Sequence, residues 1–164
     1  MRRAAAVFAG GAGVVVWDYK TCHPSRRHGY DTNCLLGTVR RVHNKAIAPL
    51  TGKAFTIREL ATYDGQDGRR TYVGCGGRVF DVSDSEMFKD SYKMWAGRDA
   101  TVSLGLMSMA EEDAGRTDFE CLGEDEWTGV KDWELYFDPK YLVRGRLVEF
   151  DEYVASGKCT TRTK

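Results

Sequence analysis

The stretch that most constrains how this chain can fold is Thr71 to Val82, TYVGCGGRVFDV. Two runs of β-branched and aromatic residues flank the pair Gly76-Gly77. Type I′ and II′ turns need positive φ, which glycine supplies without steric cost, so this pattern predicts an antiparallel hairpin. Cys75 then reads as a small strand residue. No histidine follows His43 to activate it as a nucleophile.

Helical signals surround the hairpin. Thr56-Ile57-Arg58-Glu59 is a capping box, with Phe55 ahead of it as a staple; the short helix it opens ends by Asp64-Gly65. Val82-Ser83-Asp84 is expected to cap a helix carrying Met87 and Phe88. Asp99 is expected to cap a helix from Ala100 to Met109, with Val102, Leu104, Leu106 and Met107 as apolar wall. From Glu124 to Phe137, Trp127, Val130, Trp133 and Phe137 recur at helical steps behind three acids, which suit a helix N-terminus. Pro139 stops that helix, Tyr141 to Val148 reads as the last strand, and the residues after Glu149 read as a mobile polar tail.

Charge divides the chain. Residues 1–50 carry eight Lys/Arg against Asp18 and Asp31, while the whole chain has 24 bases and 24 acids. A basic arm on an acidic domain points to an anionic surface or a partner. The apolar run Ala4–Trp17 falls short of the about 20 residues a spanning helix needs. Signal segment, mitochondrial presequence and retained short anchor all remain open for residues 1–17. Residues 18–52 read as an extended basic arm without a core of its own.

Several chemistries lack support in the sequence. Cys22, His23, His28 and Cys34 are poorly spaced for zinc, and a Cys22–Cys34 disulfide cannot be read from spacing. The acids of residues 110–123 read as a solvated face, without the ligand spacing of a calcium loop. No Ser-His-Asp set, Cys-His pair or phosphate loop supports an enzyme, and the arm has too few aromatics for a nucleic-acid surface.

The motifs Val79-Phe80-Asp81-Val82-Ser83, Ala96-Gly97-Arg98-Asp99-Ala100-Thr101, Asp132-Trp133-Glu134 and Lys140-Tyr141 occur in an order that resembles the cytochrome b5-like haem/steroid-binding domain, in its membrane-associated progesterone receptor branch. The resemblance runs from about Phe55 to Val148. It implies an α+β fold: a small domain over 53–149, with a short mixed sheet and helices forming a haem pocket. The arm precedes it and a polar tail, 150–164, follows. Without a histidine after residue 43, bis-histidine ligation is excluded for this domain.

By resemblance, Tyr92 is the axial ligand of a ferric haem b and so the metal-binding residue. Tyr141 is its hydrogen-bond partner and Lys140 contacts a propionate. Lys93, Trp95 and Asp99 complete the expected cofactor-binding set. A phenol ordinarily ionises near pH 10, so iron(III) must hold the anion, and an anionic oxygen ligand lowers the potential. That suits haem handling or sensing better than rapid electron transfer. Two departures stand out: the loop before Tyr92 is shortened to Phe88-Lys89-Asp90-Ser91 and lacks a second tyrosine, and Lys93 replaces the usual glycine. Lys93 either closes the site or pairs with a propionate.

The expected function is a membrane-associated, non-enzymatic haem-binding module that modulates a partner. The alternative is a haem-free accessory subunit of a membrane complex, such as a respiratory one. Expected partners are a membrane protein complex or membrane enzyme, met through residues 1–52, and a haem-mediated second copy; nucleic acid is not among them. The mitochondrial inner membrane is the favoured location, with the endoplasmic reticulum membrane as the alternative.

Overall fold

A computed structural model describes residues 35–158. The expectations for residues 1–17, and for Cys22, His23, His28 and Cys34, lie outside the described residues. The elements in order are helix α1 (Leu35–Val42), a π-helical turn (His43–Ile47), α2 (Ala48–Thr51), strand β1 (Lys53–Phe55), α3 (Ile57–Leu60), β2 (Tyr72–Cys75), β3 (Arg78–Asp81), α4 (Thr101–Gly105), α5 (Glu124–Phe137), β4 (Leu142–Leu147) and α6 (Val148–Ala155).

The four strands form one mixed sheet in the order β1-β4-β3-β2. The predicted hairpin is β2–β3, antiparallel, with Tyr72 opposite Asp81 and Cys75 opposite Arg78. Gly76 and Gly77 take φ of 58° and 79°, as a primed turn requires. β1 pairs with β4 in parallel, with Lys53 opposite Gly145. A Cβ on Gly145 would lie 1.8 Å from the Lys53 carbonyl oxygen, so only glycine permits this approach. β3 and β4 slip register between Val79 and Phe80, which face Gly145 and Val143 and leave Arg144 as the extra residue. Arg144 instead grips Asp81, with Nε and Nη2 3.0 and 2.8 Å from Oδ2.

The capping box forms in both directions: Glu59 N–H donates to Thr56 Oγ1 (3.2 Å) and Thr56 N–H to Glu59 Oε2 (3.1 Å). α5 has the expected limits. Its Trp127, Val130 and Phe137 are buried, and Phe137 meets Phe80 of the sheet edge-on at 5.4 Å.

Four expectations change. Residues 35–51 are helical, not an extended arm, and they dock on the domain through Leu36, Asn44 and Ala48, all buried. Met87 and Phe88 sit in a single 3₁₀ turn, Glu86–Phe88, with no side-chain cap. The helix expected over Ala100–Met109 ends at Gly105. Ser108 N–H donates to Ser103 O and Met107 N–H to Leu104 O, a Schellman closure with Met107 at φ 50°. Val102 and Leu104 do line the core, but Leu106 and Met107 face solvent. The fourth change is at the chain's end, where the polar tail begins as α6. Its Phe150 and Tyr153 are buried against Phe119 and Trp127.

A Phe150→Ala change tests that last point. Loss of a buried aromatic is expected to cost about 3–5 kcal/mol of unfolding free energy in a urea melt. A solvated tail would cost less than about 0.5 kcal/mol.

Candidate functional site

Tyr92 is held by turn geometry. Its N–H donates to Met87 O (2.8 Å), and its carbonyl accepts from Trp95 N–H (3.1 Å) at the start of the 3₁₀ turn Lys93–Trp95. The phenol ring is half-buried. It stacks on Trp95, with centroids 4.8 Å apart and planes 23° apart, and meets Phe88 edge-on at 5.6 Å. Phe88 in turn meets Tyr141 at 5.9 Å and Phe137 at 6.1 Å. The structure thus gathers Tyr92, Trp95 and Tyr141 around Phe88, a residue that sequence reasoning placed on a helix and not in the site. Its signal was position alone, four residues before Tyr92.

The other expected roles are distributed differently. The Tyr141 hydroxyl donates to Ser85 Oγ (3.1 Å), both residues buried, so its hydrogen bond goes to Ser85 and not to Tyr92. Lys140 is 3% exposed, with Nζ 3.0 Å from the Tyr136 ring centroid. Burial pulls its pKa down to about 8, because the charged ammonium is disfavoured away from water. Lys93 is exposed. It lines an open cleft of about 570 Å³ together with Met94, Gly97, Arg98, Asp64 and Glu111. A cleft of that size lies within the range of small-molecule sites.

Asp99 lies inside the domain and presents nothing to a ligand. It is fully buried, and Oδ1 accepts from Thr101 N–H (3.2 Å) and Thr101 Oγ1 (2.7 Å). The expected capping role is not met: α4 starts at Thr101 with Ala100 at its N-cap and no side-chain cap, and Asp99 closes a local turn onto Thr101 one residue earlier. Its Oδ2 has no hydrogen-bond partner among the described residues. Burial raises its pKa to about 6; the Thr101 hydrogen bonds oppose the rise and the Glu149 carboxylate adds to it. At Asp81 the balance is reversed. Burial opposes ionisation there too, but hydrogen bonds from Ser83 and Arg144 hold the carboxyl below its ordinary range.

A haem fits one half of this arrangement. At the ligand end a half-buried phenol stands on a buried tryptophan whose indole N–H has no acceptor among the described residues. At the other end Lys140 and the Tyr141 hydroxyl are turned into the protein. Among the described residues there is no group of three or more His, Cys, Asp or Glu suited to a metal ion. Nor is any helix among them long and apolar enough to cross a membrane.

No protein-family model matches the chain. Over 98 residues it is 44% identical to probable steroid-binding protein 3 of Arabidopsis thaliana, covering 57% of this chain and 97% of that protein. The chain belongs to the steroid-binding, membrane-associated progesterone receptor family. It is 32% identical over 101 residues to membrane-associated progesterone receptor component 2 of Homo sapiens, covering 58% of this chain but 45% of that protein. A solved Arabidopsis thaliana protein with a cytochrome b5-like fold aligns with a TM-score of 0.55 at 41% identity, over 60% of this chain and 94% of that one. The cytochrome b5-like fold expected from the motifs is therefore the fold of this domain.

The raised pKa of Asp99 has a defined sign. A carboxyl protonated more readily in the folded state adds stability that is fully present below its ordinary value of 3.8 and lost as pH rises through about 6. Urea melts across that window are expected to show wild type losing stability relative to Asp99→Asn. Parallel pH profiles would remove the buried carboxyl as the cause.

Proposed function

We propose that this domain binds ferric haem through the Tyr92 phenolate, as a membrane-associated module that handles or senses haem and modulates a partner. The observation that carries this reading is the Tyr92 phenol. It is half-buried and stacked on Trp95 beside Phe88, within a fold shared with cytochrome b5-like proteins. Tyr92 would hold the iron, and Trp95 and Phe88 would supply apolar wall. Exposed Lys93 would meet a propionate, in place of the glycine expected there. A bound haem would contribute its iron and its redox couple; the protein contributes an anionic oxygen, which favours the ferric state.

In this reading the module is not an enzyme. Membrane association is supported by the name of the human relative, and by the excess of Arg and Lys over acids in residues 1–50. The mitochondrial inner membrane, with the endoplasmic reticulum membrane as the alternative, is part of the same proposal, as are a partner met through residues 1–52 and a haem-mediated dimer.

One observation favours a second reading. With Lys140 buried and the Tyr141 hydroxyl on Ser85, the domain is self-satisfied at that end, as a haem-free accessory subunit of a membrane complex would be.

Haemin titration of the full chain, followed by optical absorption, separates the two. Saturable binding with a high-spin ferric phenolate spectrum is expected in wild type. Tyr92→Phe is expected to weaken it by about a hundredfold, the loss of a charge-assisted metal bond. Equal, unsaturating backgrounds in both proteins would sink the haem reading and leave the accessory-subunit one.

A further inference from the structure

The helical segment 35–51 docks through buried Leu36, Asn44 and Ala48, and Asn44 joins it to the start of β4 by hydrogen bonds. β1 pairs with β4 only over Gly145–Leu147, which leaves the Val143 N–H and Tyr141 C=O beyond the end of that pairing. The Asn44 carboxamide takes both. Its Oδ1 accepts from Val143 N–H (2.8 Å), and its Nδ2 donates to Tyr141 O (2.8 Å) and to Asp138 O (3.1 Å). Asn44 is 3% exposed. A primary amide has both a donor and an acceptor side, so it completes a strand edge as a backbone peptide would. The three backbone groups it holds bracket Lys140 and Tyr141 from both sides.

Arg40 of α1 lines a cavity of only about 60 Å³ together with Lys140, Tyr141 and Arg144. Lys140 itself points at the Tyr136 ring. For Lys140 to meet a carboxylate arriving from solvent, the backbone at 138–143 has to shift or the segment that shares its cavity has to leave. Asn44 prevents the first by holding the carbonyls of Asp138 and Tyr141 and the amide of Val143.

We propose that residues 35–51 are a built-in strap that keeps Lys140 inside the protein, with Asn44 as its catch, and that a carboxylate-bearing ligand gains the Lys140–Tyr141 end of the site only when the strap lifts. The link to haem rests on the function proposed above; the strap itself does not. A ligand whose competent state is a minor one binds more weakly by that fraction. The strap therefore sets affinity without touching the iron ligand.

The test uses the full chain with Asn44→Ala and Asn44→Asp. The aspartate keeps an acceptor for Val143 N–H but sets a carboxylate against two carbonyl oxygens, so it releases the strap at least as well as alanine. Circular-dichroism melts establish folding. A bulky amine-reactive ester, read by peptide mass spectrometry, reports exposure of Lys140 against the exposed Lys131. Lys140 labelling is expected to rise about tenfold in both variants, with Lys131 unchanged and haemin bound about tenfold more tightly, the inverse of an open-state fraction near one-tenth.

Unchanged Lys140 labelling in folded variants overturns the strap. Failure of both variants to melt cooperatively overturns it too, since Asn44 would then be part of the core and not a catch. Faster labelling with unchanged haemin affinity overturns its control of access. Faster labelling with no haemin binding in any protein, wild type included, leaves the strap standing and removes the haem function instead.

Discussion

Phe88 is the contact on which both halves of the candidate site depend. Its ring meets Tyr92, Tyr141 and Phe137 edge-on and Trp95 at a tilt, all with centroids between 5.6 and 6.5 Å. Phe137 is the last residue of α5, and it also meets Phe80 of the sheet. One ring thus joins the long helix and the sheet to the turn that carries the phenol. Edge-to-face aromatic pairs each add about 0.5–1.5 kcal/mol beyond the area they bury, so the cluster is stiff as well as apolar. Local backbone hydrogen bonds, Tyr92 N–H to Met87 O and Trp95 N–H to Tyr92 O among them, shape the segment Glu86–Trp95. Those turns and the cluster together give Tyr92 its place.

Behind that wall, buried polar groups set the remaining geometry. Asp99 accepts from Thr101 N–H and Oγ1 at the turn into α4, and Gly74 of β2 lies so close that a Cβ there would meet Asp99 Oδ1 at 2.6 Å. Gly74 N–H donates to Arg98 O and Ala100 N–H to Gly74 O, so the turn after Trp95 is laced to the hairpin edge. The segment from Tyr92 to Thr101 is therefore pinned at one end by aromatic packing and at the other by backbone hydrogen bonds and a buried carboxyl. The Lys140–Tyr141 end has a different kind of support, the amide of Asn44, which comes from the helical segment ahead of β1.

Much of this was legible in the sequence, because the responsible signals are local. Gly76-Gly77 forced the turn, Thr56 and Glu59 wrote their own cap, and Trp127, Val130 and Phe137 spaced out a helix face. The misses share a cause too. Asn44 attaches its segment by polar bonds to residues nearly a hundred positions away, and hydrophobic periodicity cannot register an amide. Met107 closes α4 with positive φ where a sequence reader looks for glycine or asparagine. Phe150 and Tyr153 sit three apart among acids, too short a pattern to outweigh the polar composition around them. Tyr141 was read by resemblance as a partner of Tyr92. Nothing in the sequence marks Ser85, 56 residues away, as the group its hydroxyl meets.

The measurement that bears most directly on the account is a paramagnetic NMR map of the full chain with ferric haemin. High-spin iron broadens nearby nuclei steeply with distance. Haem held by Tyr92 is expected to give broadening centred on Tyr92, Lys93 and Trp95, reaching Phe88 and weakening toward Asp99. Broadening that spares Tyr92, or that is spread evenly over the surface, would contradict it.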